Sequence, residues 1–154
     1  MSTPSIVHNT FVIERTYPHS TARVFRAFSD SAIKRRWFAE GEGWQVDAFD
    51  ADFRVGGRET SRFRFKDGPP VANETIYQDI VPGQRIVFVY AMTIGDKRMS
   101  ASLASVELFT SGHDTRLVYT EQGQFFDGAD QPRQRELGCA ELFDALGEEL
   151  KRSN

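Results

Sequence analysis

Apolar and polar residues alternate along much of this chain, and this alternation predicts β-strands. Seven segments have the pattern: residues 10–17, 44–50, 58–66, 71–80, 85–94, 98–109 and 115–121. From residue 58 onward, the gaps between segments are short and contain Gly, Pro, Asp or Ser, which favour turns. We therefore predict sequential antiparallel hairpins.

Apolar residues recur every three or four positions in the last part of the chain, and this spacing predicts a long amphipathic helix over residues 134–150. Its apolar stripe consists of Cys139, Leu142, Phe143, Leu146 and Leu150. Arg135 and Glu136 lie on or beside the stripe, one turn upstream. Charges beside a buried seam favour a covered cavity over a sealed core.

Two short helices are predicted between the first two strands. The first spans Val24–Phe28 and begins at Ser20 or Thr21; the second spans Ile33–Phe38, begins at Asp30 or Ser31 and is broken by Gly41 and Gly43. The order is thus β-α-α, then five or six strands, then a long helix, which defines an α+β class. We predict one domain over residues 9–151, preceded by a frayed start at residues 1–8.

Alternation also predicts which strand residues face the final helix. In the segment that begins at Arg85 they are Ile86, Phe88, Tyr90 and Met92; in the last strand they are Leu117, Tyr119 and, continuing the alternation, Glu121. The alternation leaves open whether Tyr77 faces inward or solvent. Lys34, Arg35 and Arg36 are expected to face water.

Charge and motifs argue against several classes of function. A net charge of −3 without a basic block argues against nucleic-acid binding, and Lys34 to Arg36 are too few for it. No apolar run approaches the roughly 20 residues that a membrane span needs, and the start does not resemble a signal peptide, so we expect a cytoplasmic protein.

Neither a metal site nor a bound cofactor is predicted. The three histidines, His8, His19 and His113, do not have a metal-ligand spacing. Gly56-Gly57 joins two strands and lacks a phosphate-binding pattern, so it is interpreted as a turn. The single cysteine, Cys139, excludes an internal disulfide, and we expect it to be buried and inert.

Several motifs taken together resemble one known group. They are Tyr17–Phe28, Trp37-Phe38, Asp52–Gly57, Ile80–Ile86 and Asp114–Leu117. In order and spacing they resemble the helix-grip superfamily of START domains, birch-pollen allergens and polyketide cyclases. Within it, the chain is similar to the family named for the C-terminal domain of the activator of heat shock protein 90 ATPase.

The final helix departs from the commonest family pattern. Many members have His-Glu, one further residue and then Gly-Trp, whereas this chain has Arg135-Glu136 and then Gly138-Cys139. The resemblance implies a curved antiparallel sheet wrapped around the last helix, with a cavity between them. The family has no shared catalytic residues, and a function that depends on the missing His does not carry over.

Glu121, Arg135 and Glu136 are the candidates for chemistry. One interpretation is a structural ion pair of Arg135 with Glu121 or Glu136; the other is that Arg135 fixes an anionic ligand group and Glu121 or Glu136 acts as an acid or base. The predicted ligand contacts are Trp37, Phe38, Phe88, Tyr90, Met92, Tyr119, Arg135, Cys139 and Leu142. Trp37 and Phe38 either close one end of the core or gate the cavity.

Three functions follow from these observations. The first is binding of a small apolar or aromatic ligand in the cavity. The second is an enzyme of the polyketide-cyclase or hydrolase type that uses Glu121 or Glu136. The third, suggested only by the family's name, is a co-chaperone-like interaction module. Because exposed strand edges can pair with a second copy of the chain, a homodimer is a further alternative.

Overall fold

The computed structural model describes residues 5–152 and confirms the predicted order of elements. The elements are β1 (Ile6–Tyr17), α1 (Thr21–Ser29), α2 (Ser31–Phe38), β2 (Trp44–Ala51), β3 (Arg58–Phe65), β4 (Val71–Val81), β5 (Arg85–Ile94), β6 (Lys97–Ser111), β7 (Asp114–Phe126) and α3 (Pro132–Arg152). The class is α+β, with a helix-grip arrangement of sheet and final helix.

All seven strands belong to one curved, unclosed antiparallel sheet in the order β1-β7-β6-β5-β4-β3-β2. Strands β2 to β7 pair with their neighbours in sequence, as hairpins do. The first strand instead pairs with the last, over the register from Ile6–Phe126 to Tyr17–Thr115. The sheet edges are therefore β1 and β2, and α3 follows the strand next to one edge.

The structure shows which of the predicted residues cap the two short helices. The side chain of Ser20 accepts a hydrogen bond from the Arg23 amide, so Ser20 is the N-cap of α1. Asp30 caps α2 by accepting from the amides of Ala32 and Ile33. Each carboxylate or hydroxyl satisfies amide groups that the first helical turn leaves unpaired.

Two strand boundaries differ from the prediction. β1 begins at Ile6, so residues 6–8 pair with β7 and do not form a frayed start; residues 1–4 lie outside the described part of the chain. β7 runs past Gly123 to Phe126. Gly123 suits this strand because a Cβ atom there would lie 2.8 Å from the Phe125 ring, so only glycine lets that ring pack inward.

The apolar stripe of α3 packs on the concave face of the sheet. Cys139, Phe143, Leu146 and Leu150 are buried, and Leu142 is half-buried. The Tyr17 hydroxyl at the end of β1 donates to the Phe143 carbonyl at 2.7 Å, which ties the helix to the first strand. The helix α3 thus covers one part of the concave face of the sheet. The part of that face that α3 leaves uncovered lies opposite α2.

The glycine pair forms a turn, as predicted, and the turn is anchored to β4. The Gly56 amide donates to the Tyr77 carbonyl at 2.8 Å, and the Tyr77 amide donates to the Gly57 carbonyl at 3.1 Å. A Cβ atom at Gly57 would lie 2.1 Å from the Asp52 carbonyl oxygen, so glycine is required. This anchor fixes Tyr77 on the inner face of β4, where it is buried.

Candidate ligand-binding cavity

A cavity of about 490 Å³ lies between the concave face of the sheet, α2 and α3. Its walls are mainly apolar and aromatic. All nine side chains predicted as ligand contacts line it: Trp37, Phe38, Phe88, Tyr90, Met92, Tyr119, Arg135, Cys139 and Leu142. The alternation in β5 therefore identified one wall, and the stripe of α3 identified the opposite one.

Exposed lining residues mark the opening of the cavity. Gly41 and Trp44 lie on one side of it, in the loop after α2 and at the start of β2. On the other side, the first half of α3 contributes Gln134, Gly138 and Glu141. The opening of the cavity therefore lies between α3 and the α2–β2 connection.

Trp37 belongs to the core and to the cavity wall at once. It is buried, its indole N–H donates to the Ala27 carbonyl at 2.9 Å, and its ring packs edge-on against Phe28 at 5.1 Å between centroids. Phe38 is half-buried and also lines the space. The hydrogen bond and the ring packing hold the Trp37 indole in place within the cavity wall.

Glu121 is completely buried and is surrounded by hydroxyl donors, which we call the Glu121 network. The hydroxyl oxygens of Tyr119, Tyr90 and Ser102 lie 2.6 Å, 2.8 Å and 2.9 Å from its carboxylate oxygens. The Cys139 sulfur lies 3.8 Å away. Three hydroxyl donors and a nearby arginine satisfy the acceptor capacity of a buried carboxylate.

Arg135 completes the Glu121 network from α3, with only 7% of its surface exposed. Its Nη1 donates to the Tyr90 hydroxyl at 2.9 Å and lies 3.5 Å from Glu121, while Nη2 contacts Ser100 at 2.7 Å and Asp130 at 2.9 Å. These contacts correspond to the structural interpretation of Arg135. Its two terminal nitrogens already have four protein partners.

Burial and the Glu121 carboxylate keep the tyrosine hydroxyls and the cysteine thiol of this network protonated. Burial, and then the Glu121 carboxylate, raise the pKa of Tyr90; burial, Tyr90 and Glu121 raise that of Tyr119. Burial and Glu121 likewise raise the pKa of the Cys139 thiol. Burial lowers the pKa of Arg135, but Tyr90, Glu121 and Asp130 more than offset it, so the guanidinium stays charged.

A second buried ionic group lies on the other side of the cavity and was missed from the sequence. Lys34 Nζ lies 2.9 Å from both carboxylate oxygens of Glu59, and the Tyr77 hydroxyl donates to the same carboxylate at 2.7 Å. Lys34 is 8% exposed and Glu59 is 3% exposed. The expectation that Lys34 faces water was therefore wrong, and Tyr77 faces inward.

The sequence held a signal for this Lys34–Glu59–Tyr77 cluster. Lys34 precedes Trp37 by three positions and Phe38 by four, which places it on the inner face of α2. Glu59 alternates in phase with Ser61 on β3. A lysine on an apolar helix face needs a buried partner, but the identity of that partner depends on how α2 lies across β3 and β4.

The two carboxylates proposed as catalysts do not line the cavity. Glu121 lies behind Tyr90 and Tyr119, and Glu136 is half-buried outside the lining.

Among the described residues, no three His, Cys, Asp or Glu side chains come together as metal ligands. Within residues 5–152, none of the helices has the length and apolarity needed to cross a membrane.

Sheet, helix and cavity together define a helix-grip protein. The family model of the Activator of Hsp90 ATPase homolog 1-like proteins matches residues 18–152, and the chain belongs to this family. A search of curated proteins gave no match.

Several solved structures share the fold of this chain. The Mll3558 protein of Rhizobium loti is 55% identical, with a TM-score of 0.88 over 95% of this chain and 99% of that one. A Rhizobium leguminosarum protein is 40% identical, with a TM-score of 0.93 over 97% and 98% of the two chains. An AHSA1-like protein of Aeromonas hydrophila, 19% identical, shares the fold with a TM-score of 0.73 over 93% and 92% of the chains.

Proposed function

We propose that this protein binds a small, mainly apolar ligand in the cavity between the sheet and α3. The supporting observation is the cavity itself, whose volume of about 490 Å³ lies within the range of small-molecule sites, about 300–1,000 Å³. Its wall is predominantly aromatic and aliphatic, with a few polar groups. A wall of this composition favours an apolar or aromatic ligand through burial of its surface.

Ion pairing of the carboxylates that line the cavity favours binding over catalysis. Glu59 and Asp130 line the cavity, but Lys34 holds the first and Arg135 holds the second. Glu141 also lines it, at the exposed opening. A general acid or base has to reach the reacting atom, and the paired carboxylates are already occupied by the protein's own cations. The cytoplasmic location remains a prediction.

Binding of the neutral fluorophore N-phenyl-1-naphthylamine tests the proposal. Leu142→Trp adds a large ring to the cavity wall, whereas Leu137→Trp adds the same ring at an exposed position of α3 outside the lining. We expect wild-type protein and Leu137→Trp to bind the fluorophore with equal affinity. We expect Leu142→Trp to bind it about five- to 150-fold more weakly, since about 1–3 kcal/mol is typical of overpacking.

Far-UV circular dichroism of each variant verifies that it is folded. Native mass spectrometry of the protein as purified adds an independent measurement, because a retained compound appears as a mass increment that Leu142→Trp lacks. Failure of wild-type protein to bind, or equal binding by both tryptophan variants, would overturn the cavity proposal.

A further inference from the structure

The inner face of the sheet contains two neighbouring polar side chains, Ser61 and Asn73, that each have a buried oxygen without a hydrogen-bond partner among the described residues. Asn73 on β4 lines the cavity and is 8% exposed. Its carboxamide oxygen, Oδ1, is buried without a hydrogen-bond partner among residues 5–152. A buried unpaired carbonyl costs folding free energy, so it indicates a group that a ligand completes.

The two ionic groups beside the cavity are each closed on themselves. Lys34, Glu59 and Tyr77 satisfy one another on the β3–β4 side, and the Glu121 network is satisfied by Tyr90, Ser102, Tyr119 and Arg135. Asn73 lies outside both groups. Of the polar groups named here, Asn73 Oδ1 and Ser61 Oγ are the buried atoms without a partner among the described residues.

The register places Asn73 where a ligand's polar group would meet it beside apolar surface. Its neighbour on β5 is Met92, which also lines the cavity. Its neighbour on β3 is Ser61, whose buried hydroxyl oxygen likewise has no partner among the described residues. Val71, two positions away on β4, continues the apolar wall.

Resting on the proposed function, we propose that Asn73 determines specificity by accepting a hydrogen bond from a hydroxyl group of an otherwise apolar or aromatic ligand. The ligand class is thus an aromatic or aliphatic alcohol or phenol, with its apolar body against Met92 and the aromatic wall. A hydroxyl suits the site because it donates to Oδ1 and can still accept from another donor.

Isothermal titration calorimetry with 2-naphthol and 2-methoxynaphthalene tests the assignment, because the two compounds share a ring system and only the first has a donor. We expect wild-type protein to prefer 2-naphthol by about three- to tenfold, the range for one net hydrogen bond. Asn73→Leu should bind both compounds with nearly equal affinity. The matched control Gln78→Leu, which removes the same type of carboxamide at an exposed position of β4 outside the lining, should keep the preference.

Thermal unfolding without ligand supplies a second readout. Because Asn73→Leu removes an unpaired buried carbonyl, its Tm should rise by about 2–4 °C, a shift typical of about 1 kcal/mol at this chain length. Loss of hydroxyl preference together with a higher Tm supports the proposal.

Each failure has a distinct meaning. If wild-type protein binds neither naphthalene, the cavity proposal fails and this one fails with it. If it binds both without preference, or if Asn73→Leu keeps the preference, only the assignment of Asn73 is overturned. Loss of the preference in Gln78→Leu would overturn it as well.

Discussion

The hydroxyl oxygen of Tyr90 lies 2.9 Å and 2.8 Å from the two carboxylate oxygens of Glu121. Because Arg135 donates to the same Tyr90 oxygen, the tyrosine links the cation of α3 to the carboxylate of β7. Tyr90 also lines the cavity, whereas Glu121 does not. The charge of Glu121 is therefore separated from any ligand by a neutral hydroxyl.

This relationship predicts that Glu121 stabilises the fold. In Glu121→Gln, a carboxamide N–H₂ group replaces one acceptor oxygen and meets hydroxyl donors that had been bonded to it. We expect the free energy of unfolding to fall by about 2–4 kcal/mol in urea titrations. Glu107→Gln, at an exposed position of β6, is the matched control and should change it by less than about 0.5 kcal/mol. Equal midpoints for the two variants would contradict the structural role.

A double-mutant cycle tests the Lys34–Glu59–Tyr77 cluster. Lys34→Met leaves Glu59 buried without its cation and should cost about 3–5 kcal/mol in urea unfolding. Glu59→Leu in the same protein should recover most of this loss, since the uncompensated charge is then gone. Arg35→Met, which breaks the exposed pair with Glu40, should have an effect of less than about 1 kcal/mol. Additive single effects would show that the cluster is not coupled.

Alkaline pH should unfold the protein cooperatively. Burial raises the pKa of Tyr17, Tyr77, Tyr90 and Tyr119, and of Cys139. In the unfolded chain these groups lose protons near their ordinary pKa values of 10.0 for tyrosine and 9.0 for cysteine. Above those values the folded state binds more protons than the unfolded chain. The contribution of these groups to stability, which is constant below about pH 9, then falls by about 1.4 kcal/mol per pH unit for each group.

Absorbance of tyrosinate at 295 nm, recorded together with far-UV circular dichroism, measures this effect. The two signals should change together in one steep transition above about pH 10, where the unfolded tyrosines ionise. Gradual ionisation near pH 10 while the dichroism stays native would contradict the burial of these hydroxyls.

Two glycines of α3 give different predictions for the same substitution. A Cβ atom at Gly138 would meet nothing within 4 Å, whereas one at Gly147 would lie 3.3 Å from the Tyr17 ring. Gly138→Ala should therefore raise the free energy of unfolding by about 0.5–1 kcal/mol through helix propensity. Gly147→Ala should gain less or lose stability. Calorimetric Tm values compare the two, and a larger gain at Gly147 would contradict the packing of Tyr17 on α3.

Local patterns predicted the elements of the fold because they depend on neighbouring residues. Alternation in β5 predicted the inward face of Phe88 and Tyr90, and helical spacing in α3 predicted the burial of Cys139 and Phe143. The strand ends were less predictable. β7 continues through Gly123 because its backbone is paired on both sides, which no local propensity reports.

The amino-acid sequence by itself determined the order of elements, the α+β class and the side chains that face the final helix. These features depend on the period of two residues in strands and of three to four residues in helices, which can be recognised in the sequence directly. Only the tertiary structure decided the partners: Lys34 with Glu59, Arg135 with Ser100 and Tyr90, and the unpaired oxygen of Asn73. The physical reason is that hydrogen bonds and ion pairs act over about 3 Å, whereas these residues are brought together only by strand register and helix placement.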